Sequence, residues 1–411
     1  VQRVTRSMVN ETPRQAAPKI LKSAQARLFT LALKQIKIGR LDVTYPDGSR
    51  YVVGNQHASD TADLRINDYA ALARVFRGGS IGFAEAYMDG QIETDDLTRL
   101  LTLLSRNLEA IAKIIDRSTL GRIAHLLVHK LRPNSRRGAQ KNIHAHYDLG
   151  NTFYETWLDP SMTYSSALFT TENMSLEQAQ HAKYRSIANI AKINPDDHVL
   201  EIGCGWGGFA EFAGRDLGNR LTGITISPAQ LEFAKDRMQR HGLEDRVNLR
   251  FQDYRDLNEQ FDRIVSIEMF EAVGQSYWPS YFETIFTALK PGGRAGLQII
   301  TIEDDNFEKY SKGVDFIQRY IFPGGMLPSP SKLREQFKLA NLHEYAYENF
   351  GLDYARTLAY WKKTFLEQWP NLKKLGFDER FKNMWSYYLS YCEAGFRSGA
   401  INVAQIGLLK E

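Results

Sequence analysis

The run HVLEIGCGWGGFAEFAG, His198 to Gly214, concentrates residues whose types and spacing suit chemistry on a small molecule. Gly203, Gly205 and Gly208 fit G-x-G-x-x-G between a β-rich run and a helical one. Glycines in such a turn let a ligand come close to the backbone, at the sheet edge where open α/β folds bind their ligands. Four glycines in the six residues 203–208 are more than helix packing needs. A dinucleotide site asks for an acid about 20 residues further on, at the end of the next strand, for the ribose hydroxyls. That strand ends GITIS, Gly223 to Ser227, with no acid. Glu201 instead lies two residues before the first glycine, where a carboxylate suits a cationic ligand and is awkward beside a pyrophosphate. S-adenosylmethionine carries an ammonium and a sulfonium and no phosphate. The turn is therefore expected to hold S-adenosylmethionine, and the chemistry to be methyl transfer. The motif leaves the acceptor open.

The elements around the turn follow from periodicity. HVLEIG, RLTGITIS, VNLRFQD, FDRIVSIEM and GRAGLQIITI are apolar, β-rich and separated by helical or turn segments, which argues a doubly wound α/β sheet. The run INVAQIGLLK near the C-terminus is expected to add a last, antiparallel strand. Before this unit, RLDVTYPDGSRYVVG reads as a hairpin, with PDG as its turn. DYAALARVFRGGSIGFAEAYMDGQIETDDLTRLLTLLSRN reads as two helices around a Gly-rich turn. The expected organisation is a disordered tail at 1–18, a small mixed α+β domain at 19–117, a basic helix and linker at 118–141, and the catalytic domain at 142–411. There is no internal repeat.

The 411 residues suffice for two or three domains with a full core, and 43% hydrophobic with 24% charged residues is ordinary for a globular protein. No apolar run approaches the ~20 residues that cross a bilayer, and the N-terminus lacks the order of a signal peptide. A cytoplasmic location is expected. The two cysteines, Cys204 and Cys392, lack metal spacing, so neither a disulfide framework nor a metal site is expected. The net charge of +4 is uneven. Residues 1–40 carry nine Lys or Arg against Glu11 alone, and KLRPNSRRGAQK, 130–141, has five bases and no acid. Such clusters suit an anionic lipid surface or nucleic acid, or merely form a solvated linker face. A nucleic acid methyltransferase would also need base-stacking aromatics and a catalytic Cys or an Asn/Asp-Pro-Pro-Tyr-like motif, and neither is present.

HYDLGNTFYETWLDPSMTYSSALF, GITISPAQLEFAKDR, FQDYRDL, FDRIVSIEMFEAVG, RYIFPGGMLPS and NFGLDYARTLAYWKKTFLEQWP together resemble the cyclopropane fatty acid synthase family, which includes the mycolic acid methyltransferases. The resemblance runs over roughly 60–411 and is strongest from 142 on. EAYMDG resembles the accessory domain of the full-length bacterial phospholipid enzymes, which favours a phospholipid over a carrier-bound acyl chain.

The resemblance implies a class I methyltransferase fold, Rossmann-like, and a cofactor set. Tyr164 and Ser165 come from a lid stretch, Gly203, Cys204 and Gly205 from the turn. Thr225 and Gln230 are neutral groups in place of a ribose acid, and Tyr254 and Arg255 lie beside the adenine. The plain alternative for Tyr164 is a core aromatic. Methylating an isolated alkene leaves a carbocation, which aromatic faces stabilise by about 0.5–2 kcal/mol each. Tyr147, Phe153, Tyr154, Trp157, Tyr164 and Phe169 are candidates, at least half of them expected in the core.

In this family a bound bicarbonate takes the proton. By position Glu271 accepts its hydroxyl, Tyr354 is a phenol donor and Ile300 contributes backbone. Two positions depart: Ser166 stands for the family's Cys, where the hydroxyl can still donate, and Gln298 for its His. Ala272 also replaces a His. A Gln amide hydrogen-bonds an anion without adding charge, so bicarbonate is expected to be held less tightly, or the base and product to differ. The implied reaction is methyl transfer to an unsaturated phospholipid acyl chain, giving a cyclopropane. Proton loss from a neighbouring chain carbon would give a methyl- or methylene-branched product instead, and a lipid-binding relative without catalysis is a further alternative. A homodimer peripheral to the inner, anionic membrane face is implied as well.

Overall fold

Strict alternation builds the first sheet. In β1 (Arg40–Thr44) Leu41 and Val43 point inward and are buried, while their neighbours are half exposed. The PDG turn, with Gly48 in the left-handed region, returns the chain as β2 (Arg50–Gly54), antiparallel to β1. β3 (Thr61–Ile66) runs parallel to β1 on its other side, and the short β4 (Ile92–Glu93) closes the order β2-β1-β3-β4. The structure, a computed structural model, describes residues 24–115 and 149–411. The expected tail at 1–18, the basic helix and linker at 118–141, and Tyr147 lie outside the described residues.

Helices α1 (Ala24–Leu33), α2 (Ala70–Met88), α3 (Leu97–Arg106) and α4 (Leu108–Ile115) accompany this sheet. The Gly-rich turn sits inside α2: Gly79, at φ 56° and ψ −132°, breaks the helix into two arms. α3 is thus a further helix, started by Asp96, whose carboxylate accepts from the Arg99 N–H at 3.0 Å.

The second sheet has seven strands: β5 (His198–Ile202), β6 (Arg220–Thr225), β7 (Val247–Phe251), β8 (Phe261–Ile267), β9 (Leu289–Ile302), β10 (Leu342–Asn349) and β11 (Ile401–Lys410). Their order is β10-β11-β9-β8-β5-β6-β7. β5 to β9 are mutually parallel; the inner strands are largely buried on both faces and read as apolar runs, whereas β7, at the sheet's edge, alternates between buried and exposed residues. β11 is antiparallel to both neighbours and lies between β9 and β10.

After α5 (Asn151–Glu155), one face of this sheet is covered by α6 (Leu176–Ile190), α7 (Gly208–Phe212) and α8 (Pro228–Arg240), the other by α9 (Trp278–Ala288), α10 (Asp304–Ser311) and α11 (Pro330–Leu339). α12 (Gly351–Glu367), α13 (Trp369–Lys374) and α14 (Glu379–Ser398) follow. α14 joins the two units. Its Glu393 accepts from Thr98 of α3 at 2.9 Å and pairs with Lys362 of α12 at 3.0 Å, and Arg380 pairs with Asp89 at 2.9 Å. One apolar cluster runs from Leu41 through Leu100 to Trp361 and Trp385, so the N-terminal unit shares its core with the helical side of the catalytic unit.

Candidate active site

The chain leaves β5 through Glu201 and turns into α7. Gly203 and Gly205 have φ of 85° and 51°, where a side chain is strained, and a Cβ on Gly203 would lie 2.8 Å from Met269 Cγ. The N–H groups of Gly203 and Cys204 both donate to Ile224 O, at 2.9 and 3.0 Å, which fixes the turn on β6. Glu201 is 3% exposed, and its Oε2 has no hydrogen-bond partner. Burial pushes its carboxyl up to about 8, against the pull of Lys183 and Arg237. A buried carboxyl oxygen without a partner is costly and fits a cationic ligand that supplies one.

The neighbouring groups are short-range and polar. Thr225 Oγ1 accepts from Ser227 N at 3.2 Å and donates to Gln230 Oε1 at 3.4 Å. Arg255 forks onto Asp253 at 2.8 and 2.6 Å, with its guanidinium 5.5 Å from the Tyr254 ring centre. Tyr164 and Tyr388 share a hydroxyl hydrogen bond of 2.7 Å, and Ser165 Oγ accepts from Lys183 Nζ at 2.6 Å. Tyr164, Ser165, Glu201, Gly203, Cys204, Gly205, Thr225, Gln230, Tyr254 and Arg255 all line one cavity of about 1800 Å³. Its hydrogen-bonding groups and open carboxylate fit S-adenosylmethionine.

The same cavity continues past a second carboxylate that the sequence reading passed over. Glu268 follows β8, with its backbone at φ 49°. Its Oε1 accepts from Ser166 N at 2.8 Å and Gln298 Nε2 at 2.7 Å, and its Oε2 from Tyr354 Oη at 2.6 Å. A carboxylate offers about four lone-pair positions, so these three donors leave one open on Oε2. Burial raises the Glu268 carboxyl above its ordinary value, while Tyr354, Lys183, Ser166 and Gln298 all favour the anion.

Glu271, one turn on, accepts from Ile300 N at 2.6 Å, and its Oε2 is buried without a partner. Burial, and then the charge of Glu268, push Glu271 up to about 8. The two neighbouring acids are therefore unequal: Tyr354, Lys183, Ser166 and Gln298 favour the anion at Glu268, whereas burial and the Glu268 charge favour the proton on Glu271.

Three of the five residues that the resemblance gives to bicarbonate are thus engaged by the chain's own carboxylate. Glu271, Ile300, Tyr354 and Glu268 line the cavity; Ser166 and Gln298, both 0% exposed, lie behind Glu268. The Ser166 hydroxyl was expected to donate to the anion. It donates instead to Ala167 O at 2.9 Å, and only its backbone N–H reaches Glu268. Among the aromatics, Phe153, Tyr154 and Trp157 are core, Phe169 stacks on Tyr360, and Tyr164 faces the cavity with Tyr354, Tyr388 and Phe396. Lys183, 0% exposed, is another residue missed; its position on the inner face of α6 hid it among exposed lysines. The signal for Glu268 was the pair of acids three apart in IEMFEA.

Comparisons with known proteins show the family of the chain. The family described as mycolic acid cyclopropane synthetase matches residues 134–406, and a domain of unknown function matches residues 28–113. The chain is 36% identical over 394 residues to the tuberculostearic acid methyltransferase of Mycobacterium tuberculosis, covering 90% of this chain and 88% of that one. It is 37% identical over 376 residues to the cyclopropane-fatty-acyl-phospholipid synthase of Escherichia coli K12, covering 89% and 94%. A solved cyclopropane synthase from Mycobacterium tuberculosis superposes with a TM-score of 0.62 at 29% identity, over 66% of this chain and 98% of that one.

Proposed function

The chain belongs to the mycolic acid cyclopropane synthetase family, and from that footing we propose that it methylates the double bond of an unsaturated phospholipid acyl chain to a cyclopropane, with the Glu268 carboxylate as proton acceptor. The observation that carries the second half is the carboxylate of Glu268 on the donors that the family resemblance assigns to bicarbonate. A carboxylate and a bicarbonate present the same planar pair of oxygens to those donors.

When bound, S-adenosylmethionine supplies an electrophilic methyl group. Glu201 and the glycine turn hold its cationic end. The faces of Tyr164, Tyr354, Tyr388 and Phe396 surround the alkene, exclude water and oppose the positive charge that appears on the chain carbon. The alkene's π electrons would form the new carbon–carbon bond as the methyl–sulfur bond breaks and its electron pair stays on the departing sulfur. The open lone pair of Glu268 Oε2 then takes one proton, and the C–H electron pair released collapses onto the cationic carbon. A proton from the added methyl closes the ring. The tether on Glu268 favours a second reading: a base fixed to the protein takes whichever proton faces it, and one from the neighbouring chain carbon leaves the added methyl as a branch on a chain that is still unsaturated. General bases act only within hydrogen-bond reach, so a small shift in chain register selects the product.

The test is incubation with S-adenosylmethionine and unsaturated phospholipid vesicles, with bicarbonate stripped or added, and mass spectrometry of the acyl products. Methylated product at the same rate in both conditions is expected. Strict dependence on added bicarbonate overturns the role of Glu268, and a branched product selects the second reading.

The substrate's source fits a membrane. Among the described residues no helix is long and apolar enough to cross one. Leu28, Leu31, Ile38 and Leu108 are 43–53% exposed, beside Arg27, Lys34 and Lys37, and Lys37, Ile38 and Leu108 also line the cavity. This apolar and cationic rim supports docking on the inner, anionic face of a bilayer, by a pair of copies as the resemblance implies. Basic residues near such a surface contribute about 1 kcal/mol each. The double variant Leu28→Glu, Leu31→Glu is expected to weaken sedimentation with anionic vesicles at least about tenfold, with S-adenosylmethionine affinity unchanged. Equal vesicle binding by the variant would remove this face from the reading.

A further inference from the structure

Gln298 is the neutral donor behind Glu268, and an amide that turns over becomes an acceptor. Something must hold its direction. Gln405 lies directly opposite it, at the matched position of the antiparallel pair β9–β11. It is 1% exposed, and its Nε2 donates to Gln298 Oε1 at 3.0 Å and to the backbone carbonyl of Lys183 at 3.2 Å. The Ser186 hydroxyl donates to Gln405 Oε1 at 2.7 Å.

Only one of these contacts has a fixed sense. A hydroxyl can turn to donate or accept, but a backbone carbonyl only accepts. The Lys183 carbonyl therefore requires Nε2 of Gln405 on its side. That nitrogen then requires Oε1 of Gln298, which leaves Nε2 of Gln298 facing Glu268. Turning both amides over would set oxygen against oxygen at the Lys183 carbonyl, at the Glu268 carboxylate and at the Ser166 carbonyl, which lies 3.4 Å from Gln298 Nε2.

We propose that Gln405 is a positioning residue, which fixes the direction of the Gln298 amide and so keeps a donor on Glu268. The inference rests on Glu268 being the proton acceptor. The buried chain Lys183 carbonyl–Gln405–Gln298–Glu268 carries direction without carrying charge, and it ties the acceptor to α6, the helix whose Lys183 also binds Ser165.

The test is the pH profile of kcat for Gln405→Met, which keeps the length and lacks the amide. Lys183 from α6, Tyr354 from α12 and Glu271 from the same turn also face Glu268, and all stay in place, so a shift reports the relay. With Gln298 Oε1 left without its donor, the amide is held on Glu268 less firmly, and the acid limb is expected to move up by up to about one pH unit, the scale of one lost hydrogen bond to a charge. The KM for S-adenosylmethionine should stay as it is. A merely structural role would lower the melting temperature and leave the limb alone, and an unmoved limb overturns the inference. Gln405→Leu, which also lacks the amide and adds no charge, gives the same reading if Met unsettles the fold. Glu268→Gln run alongside separates the two levels. A limb that survives Glu268→Gln removes Glu268 as the base, and this inference with it. A limb lost there but unmoved in Gln405→Met removes the relay alone.

Discussion

Glu268→Gln is expected to lower kcat by about 10²–10⁴-fold, the range that a positioned general base contributes, with S-adenosylmethionine still bound. The amide keeps the volume and loses the basic lone pair, and its NH₂ would face the donors that now point at a carboxylate. Glu268→Gly should behave differently. At φ 49° a side chain costs about 1–2 kcal/mol that glycine does not pay, so the fold should tolerate the change. Ser166 N, Gln298 Nε2 and Tyr354 Oη would then surround a space of carboxylate size, and such donors bind small anions. Added bicarbonate, or formate as a weaker base, is expected to restore turnover to Glu268→Gly and not to Glu268→Gln, whose side chain fills the space. Retention of more than about a tenth of the activity by Glu268→Gln, in initial-rate assays of methylated lipid, would rule out this assignment.

The second large effect concerns Glu201. Its carboxyl is held up to about 8 by burial, so at pH 7 the empty site is mostly protonated. A cationic ligand favours the anion. Binding should therefore release nearly one proton at pH 7, and affinity should rise with pH until about 8 and then level. Titration calorimetry in two buffers of different ionisation enthalpy measures the proton directly. Glu201→Gln is expected to abolish the release and to weaken S-adenosylmethionine binding by about 30- to 1000-fold, the cost of truncating one partner of a buried charge pair. Proton release unchanged in Glu201→Gln would place the titrating group elsewhere.

These two acids differ in how far the sequence betrays them. Glu201 stands two residues before a glycine turn, and the turn is readable because its spacing and its flanking periods are local. The parallel strands were legible for the same reason. Glu268 depends on what is not local. Its donors come from Ser166, Gln298 and Tyr354, more than a hundred residues away at one extreme and brought together only by the sheet and α12. Its left-handed backbone gives no compositional sign. Ser166 was read for its side chain, whereas the backbone N–H makes the contact, and a backbone role leaves no mark on residue type. Gln405 is one polar residue within the mostly apolar run Val403–Leu409, which reads as noise until its opposite number across the pair is known. In the N-terminal unit, Gly79 was legible as a break, but a break inside one helix and a turn between two look alike in sequence.

The place of β11 has a consequence for how the molecule is made. It enters the sheet between β10 and β9, yet it is synthesised after both. A ribosome-bound chain that has emerged only as far as α14 therefore has an open slot one strand in from the end of its sheet, with the edges of β9 and β10 unpaired. In that interval Gln298 lacks the donor that Gln405 brings to its Oε1, even though the glycine turn has long been complete. Until residues 401–410 are added, the unpaired edges of β9 and β10 are a segment in need of protection by chaperones.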